Sequence, residues 1–316
     1  MRISQPAPDR PRGASRMPFP HRPVMLAQAL AGLAVRPGGV YLDATYGRGG
    51  HSRAILEALR GQGVLHALDR DPEAAAHAWR TFGGREDFRF HARNFSELAQ
   101  LGAELGLTGR VDGLLLDLGV SSPQLDDPAR GFSFAQDAPL DMRMDPRAGE
   151  PASSWLARAA EHEIAEVLWR YGEERNSRRI ARRIVEARQQ APIATTAQLA
   201  ALIAAVPGPR SRSIHPATRS FQAIRIFIND ELHALQAALA ASPALLAPGG
   251  RLAVISFHSL EDRIVKRFIR DHSRSSEESR SEAVLRSVGR YFPSEAEIAD
   301  NPRARSAVLR VAERLP

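Results

Sequence analysis

Short apolar segments alternate with amphipathic helical segments over residues 21–125, and this alternation is the feature that most constrains the fold. The strand pattern occurs at 40–43, 64–69, 88–90 and 113–118. Helical patterns lie between these segments, and Pro72 is well placed for the first turn of one of them. Strands and helices that alternate at this spacing are typical of a parallel sheet covered on both faces. We therefore predict an α/β fold with a doubly wound, Rossmann-like sheet.

A helical block interrupts the alternation. Between 153 and 206 apolar residues recur only at helical spacing, as in the stripe formed by Ile164, Val167, Leu168 and Tyr171. A long amphipathic helix is predicted at 221–235, and a strand pattern returns at 251–257. The sequence therefore predicts a flexible tail at 1–20, a sheet domain built from 21–125 and 216–316, and an inserted helical domain at 126–215.

Composition excludes several classes of function. The chain has no cysteine, which excludes a disulfide framework, a thiolate zinc site and a cysteine nucleophile. Its formal net charge is +7, which favours a polyanionic partner such as nucleic acid, although an arginine-rich composition alone would also produce it. The chain lacks the run of about 18 apolar residues that a membrane span requires. Its N-terminal tail lacks the apolar stretch of a secretory signal, so we expect a cytoplasmic protein.

The strongest local motif is DATYGRGGH at 43–51, between a predicted strand and a predicted helix. Glycines at such a turn, here Gly47, Gly49 and Gly50, let the backbone approach a ligand closely at the helix N-terminus. Asp69 ends the next strand, where a carboxylate can accept hydrogen bonds from both ribose hydroxyls of a nucleoside cofactor. A dinucleotide and S-adenosylmethionine both fit this pair of features.

Two details favour S-adenosylmethionine. Ser52 occupies the position of the third glycine in the dinucleotide fingerprint. The charge of Asp43 would be unfavourable near a pyrophosphate, whereas it suits the ammonium group of a methionine moiety. A glycine-rich turn without a ligand is the remaining alternative, because isolated glycine motifs are weak evidence. Phe95 follows the third strand, where an adenine ring would lie, although a phenylalanine there is more often part of the core.

The segment after the fourth strand, 117–123, is where donor and acceptor should meet, because ligands of such sheets bind beyond the carboxyl ends of the strands. Asp117 begins this segment. His258 follows the strand at 251–257, so we predict that it lines the same pocket and accepts a proton. A structural hydrogen-bonding role for a single loop histidine is the alternative.

Long matching blocks run in order from His21 almost to the last residue, and on them the sequence resembles the MraW family of ribosomal RNA methyltransferases. The blocks include DATYGRGGHSRAIL, ALDRDP, LLLDLGVSSPQLDDPARGFSFAQDAPLDMRMD, HPATRSFQAIRIFINDEL and PGGRLAVISFHSLEDRIVKRF. The stretch from Ser273 to Arg290 departs from the family pattern.

The resemblance implies S-adenosylmethionine-dependent N4-methylation of a cytidine in the decoding region of 16S ribosomal RNA. It also implies that the sheet domain is the methyltransferase core and that the helical domain helps to recognise the substrate. The expected partner is 16S ribosomal RNA within the small subunit or a late assembly intermediate, with a homodimer as one candidate oligomeric state. The family's cofactor-binding positions correspond to Gly49, Gly50, His51, Asp69, Phe95, Asp117 and Gln124.

N4-methylation makes specific demands on the acceptor site. An exocyclic cytosine amine is a poor nucleophile, so the enzyme must position it in line with the donor methyl and offer hydrogen-bond acceptors. Asp117 is the predicted acceptor, with His258 beside it. Methylation at C5 of a pyrimidine usually passes through a cysteine adduct, a route closed to this chain. Asp137, Asp141 and Asp145 could suggest a metal site, but loop carboxylates are usually solvated and we predict no metal.

Arginines in the helical block form the predicted RNA surface. They recur at three- and four-residue steps, which places them along one helical face: Arg175, Arg178, Arg179, Arg182 and Arg183. Such a face can follow a phosphate backbone. The alternative is an exposed surface with internal ion pairs, such as Arg182 with Glu186.

Two further groups of side chains have two interpretations each. Phe132 and Phe134 either stack on a flipped base or pack against the helical block. A polar stripe either faces the nucleotide pocket or ties the helical block to the core, and it consists of Arg219, Gln222, Arg225 and Asn229. The competing functions are a small-molecule methyltransferase, a DNA N4-methyltransferase and a non-catalytic RNA-binding protein. The arginine-rich insert disfavours the first, and the intact cofactor positions disfavour the last.

Overall fold

The chain forms one mixed seven-stranded sheet. The computed structural model describes residues 23–208, 215–275 and 282–316, so the predicted tail at 1–20 lies outside the described residues. The strands are β1 Val40–Asp43, β2 Val64–Leu68, β3 Phe88–His91, β4 Val111–Asp117, β5 Leu246–Ser256, β6 Leu285–Tyr291 and β7 Val308–Arg314. Their order is β3-β2-β1-β4-β5-β7-β6. The first five strands in this order run parallel, and β7 and β6 pair antiparallel.

Helices cover both faces of the sheet, because successive strand residues such as Tyr41 and Leu42 enter opposite hydrophobic cores. One face carries α1 Leu26–Leu33, α2 Gly50–Leu59 and α3 Pro72–Phe82. The other carries α4 Leu98–Glu104, α11 Glu231–Leu245 and α12 Ser259–His272. The predicted doubly wound, Rossmann-like α/β fold is confirmed. The strand order reverses between β1 and β4, and such a reversal opens a crevice beyond the carboxyl ends of the strands.

A group of helices packs around a third hydrophobic core, separate from the two beside the sheet. These helices are α6 Ala152–Arg158, α7 Glu161–Gly172, α8 Ser177–Arg188, α9 Thr196–Ala204 and α10 Thr218–Ile228. The short α5 Ser122–Asp126 precedes them, and α13 Glu295–Asp300 lies between the last two strands. Phe132 and Phe134 both pack against this third core, which supports their structural interpretation. No helix in the described ranges is long and apolar enough to cross a membrane.

The long helix predicted at 221–235 is broken in two. Helix α10 ends before Asn229, and Asp230 adopts a left-handed φ of 48° before α11 begins. The Asn229 side chain explains the break, because it holds two backbone groups of a distant segment. Its Nδ2 donates to the Met142 carbonyl at 2.7 Å, and its Oδ1 accepts from the Met144 N–H at 2.7 Å. The apolar periodicity continues through the break and therefore concealed it in the sequence.

Candidate active site

A cavity of about 320 Å³ lies beyond the carboxyl ends of β1, β2 and β4, at the reversal of strand order. Most of the sequence-predicted residues line it, namely Gly47, Gly50, His51, Asp69, Phe95, Asp117 and Gln124. Among the described residues around the cavity, Asp43, Gly49 and His258 are not part of the lining. The structure therefore brings most of the predicted site together and places three of its members behind or beside the wall.

The glycine-rich turn between β1 and α2 forms one wall of the cavity. Gly47 and Gly49 adopt left-handed φ angles of 55° and 70°, which residues with a Cβ adopt only with strain. The Gly47 N–H donates to Asp69 Oδ2 at 2.8 Å, so the turn is tied to the end of β2. A Cβ atom at Gly49 would lie 2.7 Å from the ring of Tyr46. Gly49 therefore shapes the turn without lining the cavity.

Asp43 is completely buried behind this turn and does not reach the cavity. Its carboxylate accepts hydrogen bonds from Ser52 Oγ at 2.6 Å and from the Thr45 N–H at 3.2 Å. Ser52, the departure from the dinucleotide fingerprint, is thus the residue that anchors Asp43 to α2. Burial raises the pKa of Asp43 to about 6. The predicted direct contact with an ammonium group is therefore replaced by a charge one layer behind the wall.

Asp69 is the carboxylate that lines the cavity at the end of β2. Its Oδ2 accepts from Gly47 and its Oδ1 accepts from the Asp71 N–H at 2.9 Å. Each carboxylate oxygen has two lone pairs, so both oxygens keep capacity for a ligand hydroxyl. Burial raises the pKa of Asp69 above its ordinary value.

Asp117 lines the cavity at the end of β4 and carries an unsatisfied acceptor. Its Oδ1 is buried and has no hydrogen-bond partner among the described residues. Buried polar atoms are nearly always paired in folded proteins, so this unpaired oxygen makes Asp117 a candidate functional residue. Burial, reinforced by the charges of Asp43 and Glu261, raises the pKa of Asp117 well above its ordinary range.

His51 faces the second carboxylate oxygen of Asp117. Its Nε2 lies 3.1 Å from the Val24 carbonyl, and its Nδ1 lies 3.5 Å from Asp117 Oδ2. Because the Nε2 side must donate to the carbonyl, the approach of Nδ1 to the carboxylate requires a proton on one of the two groups. Asp117 and His51 therefore form a proton-holding pair in the cavity wall.

A buried polar network ties the cavity to the helical core. Gln124 Nε2 donates to Asp71 Oδ2 at 2.7 Å, and the same oxygen accepts from Arg130 Nη1 at 2.9 Å. Arg130 also donates to the Met144 carbonyl at 2.8 Å. Arg70, which precedes Asp71 in the chain, makes two further contacts. Its Nη1 donates to the backbone carbonyl of Asn229 at 3.0 Å, and its Nη2 donates to the sulfur of Met144 at 2.9 Å. Gln124 is thus fixed by its neighbours before any ligand binds.

His258 is placed differently from the prediction. It is the N-cap of α12, where its Nδ1 accepts from the Glu261 N–H at 3.5 Å and its Nε2 lies 3.2 Å from Glu261 Oε1. Phe257 lines the cavity, and its successor turns away into the cap. The expectation that His258 lines the pocket is therefore wrong, because the sequence shows the loop but not the capping contact.

The sequence also underestimated Arg225. This residue lines the cavity while its guanidinium forms two hydrogen bonds with the buried carboxylate of Glu231, at 2.8 and 2.9 Å. Arg303, from the segment before β7, lines the cavity as well and donates to Asp126 at 2.6 Å. The polar stripe on α10 was the only available signal for Arg225. No local pattern marked Arg303, which the fold brings in from far along the chain.

The three loop carboxylates once considered for a metal have other partners. Asp141 pairs with Arg143 at 2.8 Å, and Asp145 pairs with Arg147 at 2.9 Å. Asp137 accepts from the Ala197 N–H at 3.2 Å. The contacts of Asp141 and Asp145 lie within local turns, whereas Asp137 contacts the first turn of α9.

The five predicted RNA-facing arginines are all exposed. Four of them, Arg175, Arg178, Arg179 and Arg182, line a groove of about 1110 Å³ between α7 and α8. Arg182 lies 3.7 Å from Glu161, and Arg183 lies 3.8 Å from Glu186. The ion pair expected between Arg182 and Glu186 is therefore replaced by these two pairs.

Comparison with known proteins places this chain beside ribosomal RNA methyltransferases. The model of the MraW methylase family matches residues 18–315. Ribosomal RNA small subunit methyltransferase H of Thioalkalivibrio sulfidiphilus (strain HL-EbGR7) is 61% identical over 305 residues, which cover 93% of this chain and 97% of that protein.

Two solved structures illustrate how distant the structural likenesses are. A SAM-dependent O-methyltransferase from Thermotoga maritima is 11% identical with a TM-score of 0.41, and the likeness covers 92% of this chain and 64% of that one. An rRNA methylase from Streptococcus thermophilus is 12% identical with a TM-score of 0.40, covering 92% and 95% of the two chains. These likenesses are too weak to bear on the function.

Proposed function

Because this chain belongs to the MraW methylase family, we propose that it is an S-adenosylmethionine-dependent methyltransferase that modifies N4 of a cytidine in the decoding region of 16S ribosomal RNA. The observation that supports the acceptor chemistry is the buried, unpaired Oδ1 of Asp117 in the cavity wall. An unpaired carboxylate oxygen has the capacity to accept a further hydrogen bond, and an exocyclic amine can donate one.

The residues around the cavity fit S-adenosylmethionine. The Asp69 carboxylate suits the ribose hydroxyls, Phe95 suits the adenine ring, and the turn at Gly47 and Gly50 allows close backbone approach. The negative charges of Asp69 and, one layer behind, Asp43 favour a cationic ligand. When bound there, S-adenosylmethionine supplies an electrophilic methyl group on a sulfonium.

Asp117 then serves as the acceptor that orients the amine of the target cytidine. Accepting one N–H from the amine at Oδ1 would direct the nitrogen lone pair and let the nitrogen pyramidalise as the N–C bond forms. The methyl–sulfur bond of the donor would break in the same step, with its electron pair left on a neutral thioether. The amine would lose one proton after the transfer, and we propose that Asp117 Oδ1 takes it while His51 Nδ1 holds the proton beside Oδ2. The role of His258 as proton acceptor stays a prediction without support from the cavity wall.

The sheet domain and the helical domain have different proposed roles. We assign the methyltransferase core to 21–125 and 216–316 and substrate recognition to the helical domain at 126–215. Helix α10, at the start of the second core segment, packs on the helical core. The exposed arginines of α8 supply the charge that phosphates require. RNA within the small subunit or a late assembly intermediate is the proposed substrate, and a homodimer remains our prediction for solution measurements.

Transfer of labelled methyl from S-adenosylmethionine tests this function. Small ribosomal subunits, naked 16S ribosomal RNA and DNA are compared, and the labelled nucleoside is identified by chromatography. We expect N4-methylcytidine in the ribosomal substrate and no label in DNA. Measurable cofactor binding without transfer to any of the three would contradict the proposed substrate, and label on another nucleoside would contradict the proposed acceptor atom.

A further inference from the structure

Trp169 lies near the end of α7. Unlike the residues of α7 that form the helical core, its side chain is exposed to solvent. Its side chain is 61% exposed, whereas its neighbours Ile164 and Leu168 are completely buried in the helical core. A single exposed apolar side chain is ordinary on a protein surface. What distinguishes Trp169 is the shape and charge of the surface around it.

Trp169 forms the ridge between two grooves. The first groove, of about 1110 Å³, lies along α8 and contains Arg178, Arg179 and Arg182. The second, of about 700 Å³, contains Arg170, Arg219 and Arg263. Trp169 lines both grooves, together with Arg175 and Glu166.

Positive charge dominates both grooves. Three carboxylates offset part of it: Glu161 lies 3.7 Å from Arg182, Glu173 lies 3.1 Å from Arg263, and Glu166 lines both grooves. Arg175 and Arg178 have no ion-pair partner among the residues that the structure describes. Unpaired arginines on either side of an exposed indole are the combination that binds single-stranded nucleic acid, with phosphates on the cations and a base on the ring.

The second groove shares its supporting elements with the cavity. Arg219 lines the groove and Arg225 lines the cavity, both on α10. Six residues of helix correspond to about 9 Å along the axis. Likewise, Phe257 lines the cavity and Leu260, in the first turn of α12, lines the groove. An RNA strand held in this groove is therefore a few nucleotides from the proposed target position.

We propose that Trp169 is a stacking platform for an unpaired RNA base that flanks the target cytidine, with Arg175 and Arg178 holding the adjacent phosphates. This inference rests on the proposed function, because it requires an RNA substrate whose target enters the cavity. A protein partner is a different proposal, which the surplus of arginines over carboxylates disfavours.

The test compares Trp169→Ala and Trp169→Phe with Trp79→Ala. Trp79 is a matched control, because it is 69% exposed and lies on α3, away from both grooves. Binding of a fluorescein-labelled single-stranded RNA of about 12 nucleotides is measured by anisotropy at several salt concentrations. Binding to small ribosomal subunits, cofactor binding and thermal unfolding are measured for each variant.

We expect Trp169→Ala to weaken RNA binding about tenfold, because one stacked base contributes about that factor. The salt dependence should be unchanged, since stacking releases no counterions. Trp169→Phe should retain most of the affinity, and Trp79→Ala all of it. In the wild-type protein RNA should quench tryptophan emission, and this quenching should disappear in Trp169→Phe.

Three results would overturn the inference. Wild-type affinity of Trp169→Ala for the RNA, with normal methylation of subunits, would eliminate the platform but leave the proposed function intact. Unchanged binding of free RNA with lost binding of subunits would identify Trp169 as a contact to ribosomal protein. A wild-type chain that neither binds nor methylates RNA would instead remove the proposed function itself.

Discussion

The cavity and the grooves beside Trp169 differ in how their polar side chains are held. Around the cavity, Asp69 and Gln124 are buried or half-buried and fixed by named hydrogen bonds before a ligand arrives. In the grooves, Arg175 and Arg178 are exposed and without ion pairs among the described residues. A small cofactor requires fixed geometry, whereas an RNA backbone requires charge at approximate positions. Substitutions should therefore affect the two regions in different measurable quantities.

The largest effect should follow loss of Arg130, which connects the cavity to the helical core. Its guanidinium is 8% exposed and pairs with Asp71 at 2.9 Å. Arg130→Ala leaves a buried carboxylate unpaired and should lower the free energy of unfolding by about 3–5 kcal/mol. Arg147→Ala is the control, because its pair with Asp145 is exposed and should contribute less than about 1 kcal/mol. Equal urea midpoints for the two variants would show that the network does not stabilise the fold.

Asp117→Asn should have the next largest effect. It should lower turnover and leave RNA binding by the grooves unchanged. The amide keeps the size of the side chain but replaces one acceptor oxygen with a donor, so kcat should fall about 100- to 1000-fold. RNA binding by anisotropy should stay at the wild-type level. Asp87→Asn, at an exposed ion pair with Arg85, is the control. Turnover within a few-fold of wild type would exclude Asp117 as the amine acceptor.

Charge reversal in the first groove should show the opposite pattern. The double variant Arg178→Glu and Arg182→Glu should weaken RNA binding about tenfold and lower the salt slope by roughly 0.7 for each lost phosphate contact. Cofactor binding should not change. Arg36→Glu, at an exposed pair with Asp112, provides a reversed charge elsewhere. An unchanged salt slope in the double variant would show that these arginines do not contact phosphates.

The smallest effect should be a pH dependence of cofactor binding. Because the pKa of Asp43 is raised to about 6, the folded protein holds a proton that the unfolded chain has lost above its ordinary pKa of about 4. The contribution of Asp43 to stability therefore declines as pH rises from about 4 to about 6. A cationic ligand prefers the ionised form, so its affinity should rise about fourfold between pH 5.5 and 7.5.

Calorimetry of cofactor binding at several pH values measures this change, and Asp43→Asn is the matched variant. The amide cannot ionise, so its affinity should lose the Asp43 part of the pH dependence. The raised pKa of Asp69 acts in the same direction and leaves a residual slope. Identical pH profiles for the wild type and Asp43→Asn would contradict the electrostatic role of the buried carboxylate.

The sequence predicted the parts of the molecule that depend on local signals. Alternation of strands and helices is sufficient for the five parallel strands, whereas the antiparallel strands β6 and β7 were not predicted. The turn at 43–51 and Asp69 mark the cofactor side of the cavity. These features can be predicted from the sequence because each depends on the conformation of one short segment, such as the positive φ of Gly47. The exposed arginine face on α8 can be predicted for the same reason.

The remainder depends on contacts between distant segments. Asn229 interrupts a helix because its amide binds backbone groups of Met142 and Met144, more than eighty residues earlier. Arg303 lines the cavity from the segment just before the last strand, far along the chain from its partner Asp126. His258 caps α12 through its contact with Glu261 and does not line the cavity. Periodicity records which face of an element is apolar, but it does not record which distant partner a polar side chain will meet.

The loop of Asp69, Arg70 and Asp71 contacts both the cavity and the helical core through three consecutive residues. Asp69 lines the cavity, while Arg70 and Asp71 hold Asn229 and Arg130 beside the helical core. A ligand that shifts this loop shifts the grip on the helical core, and a partner that moves the helical core moves the loop. Such coupling is reciprocal: the factor by which cofactor changes RNA affinity must equal the factor by which RNA changes cofactor affinity. A measured difference in RNA affinity with and without cofactor would therefore be the signature of coupling through this loop.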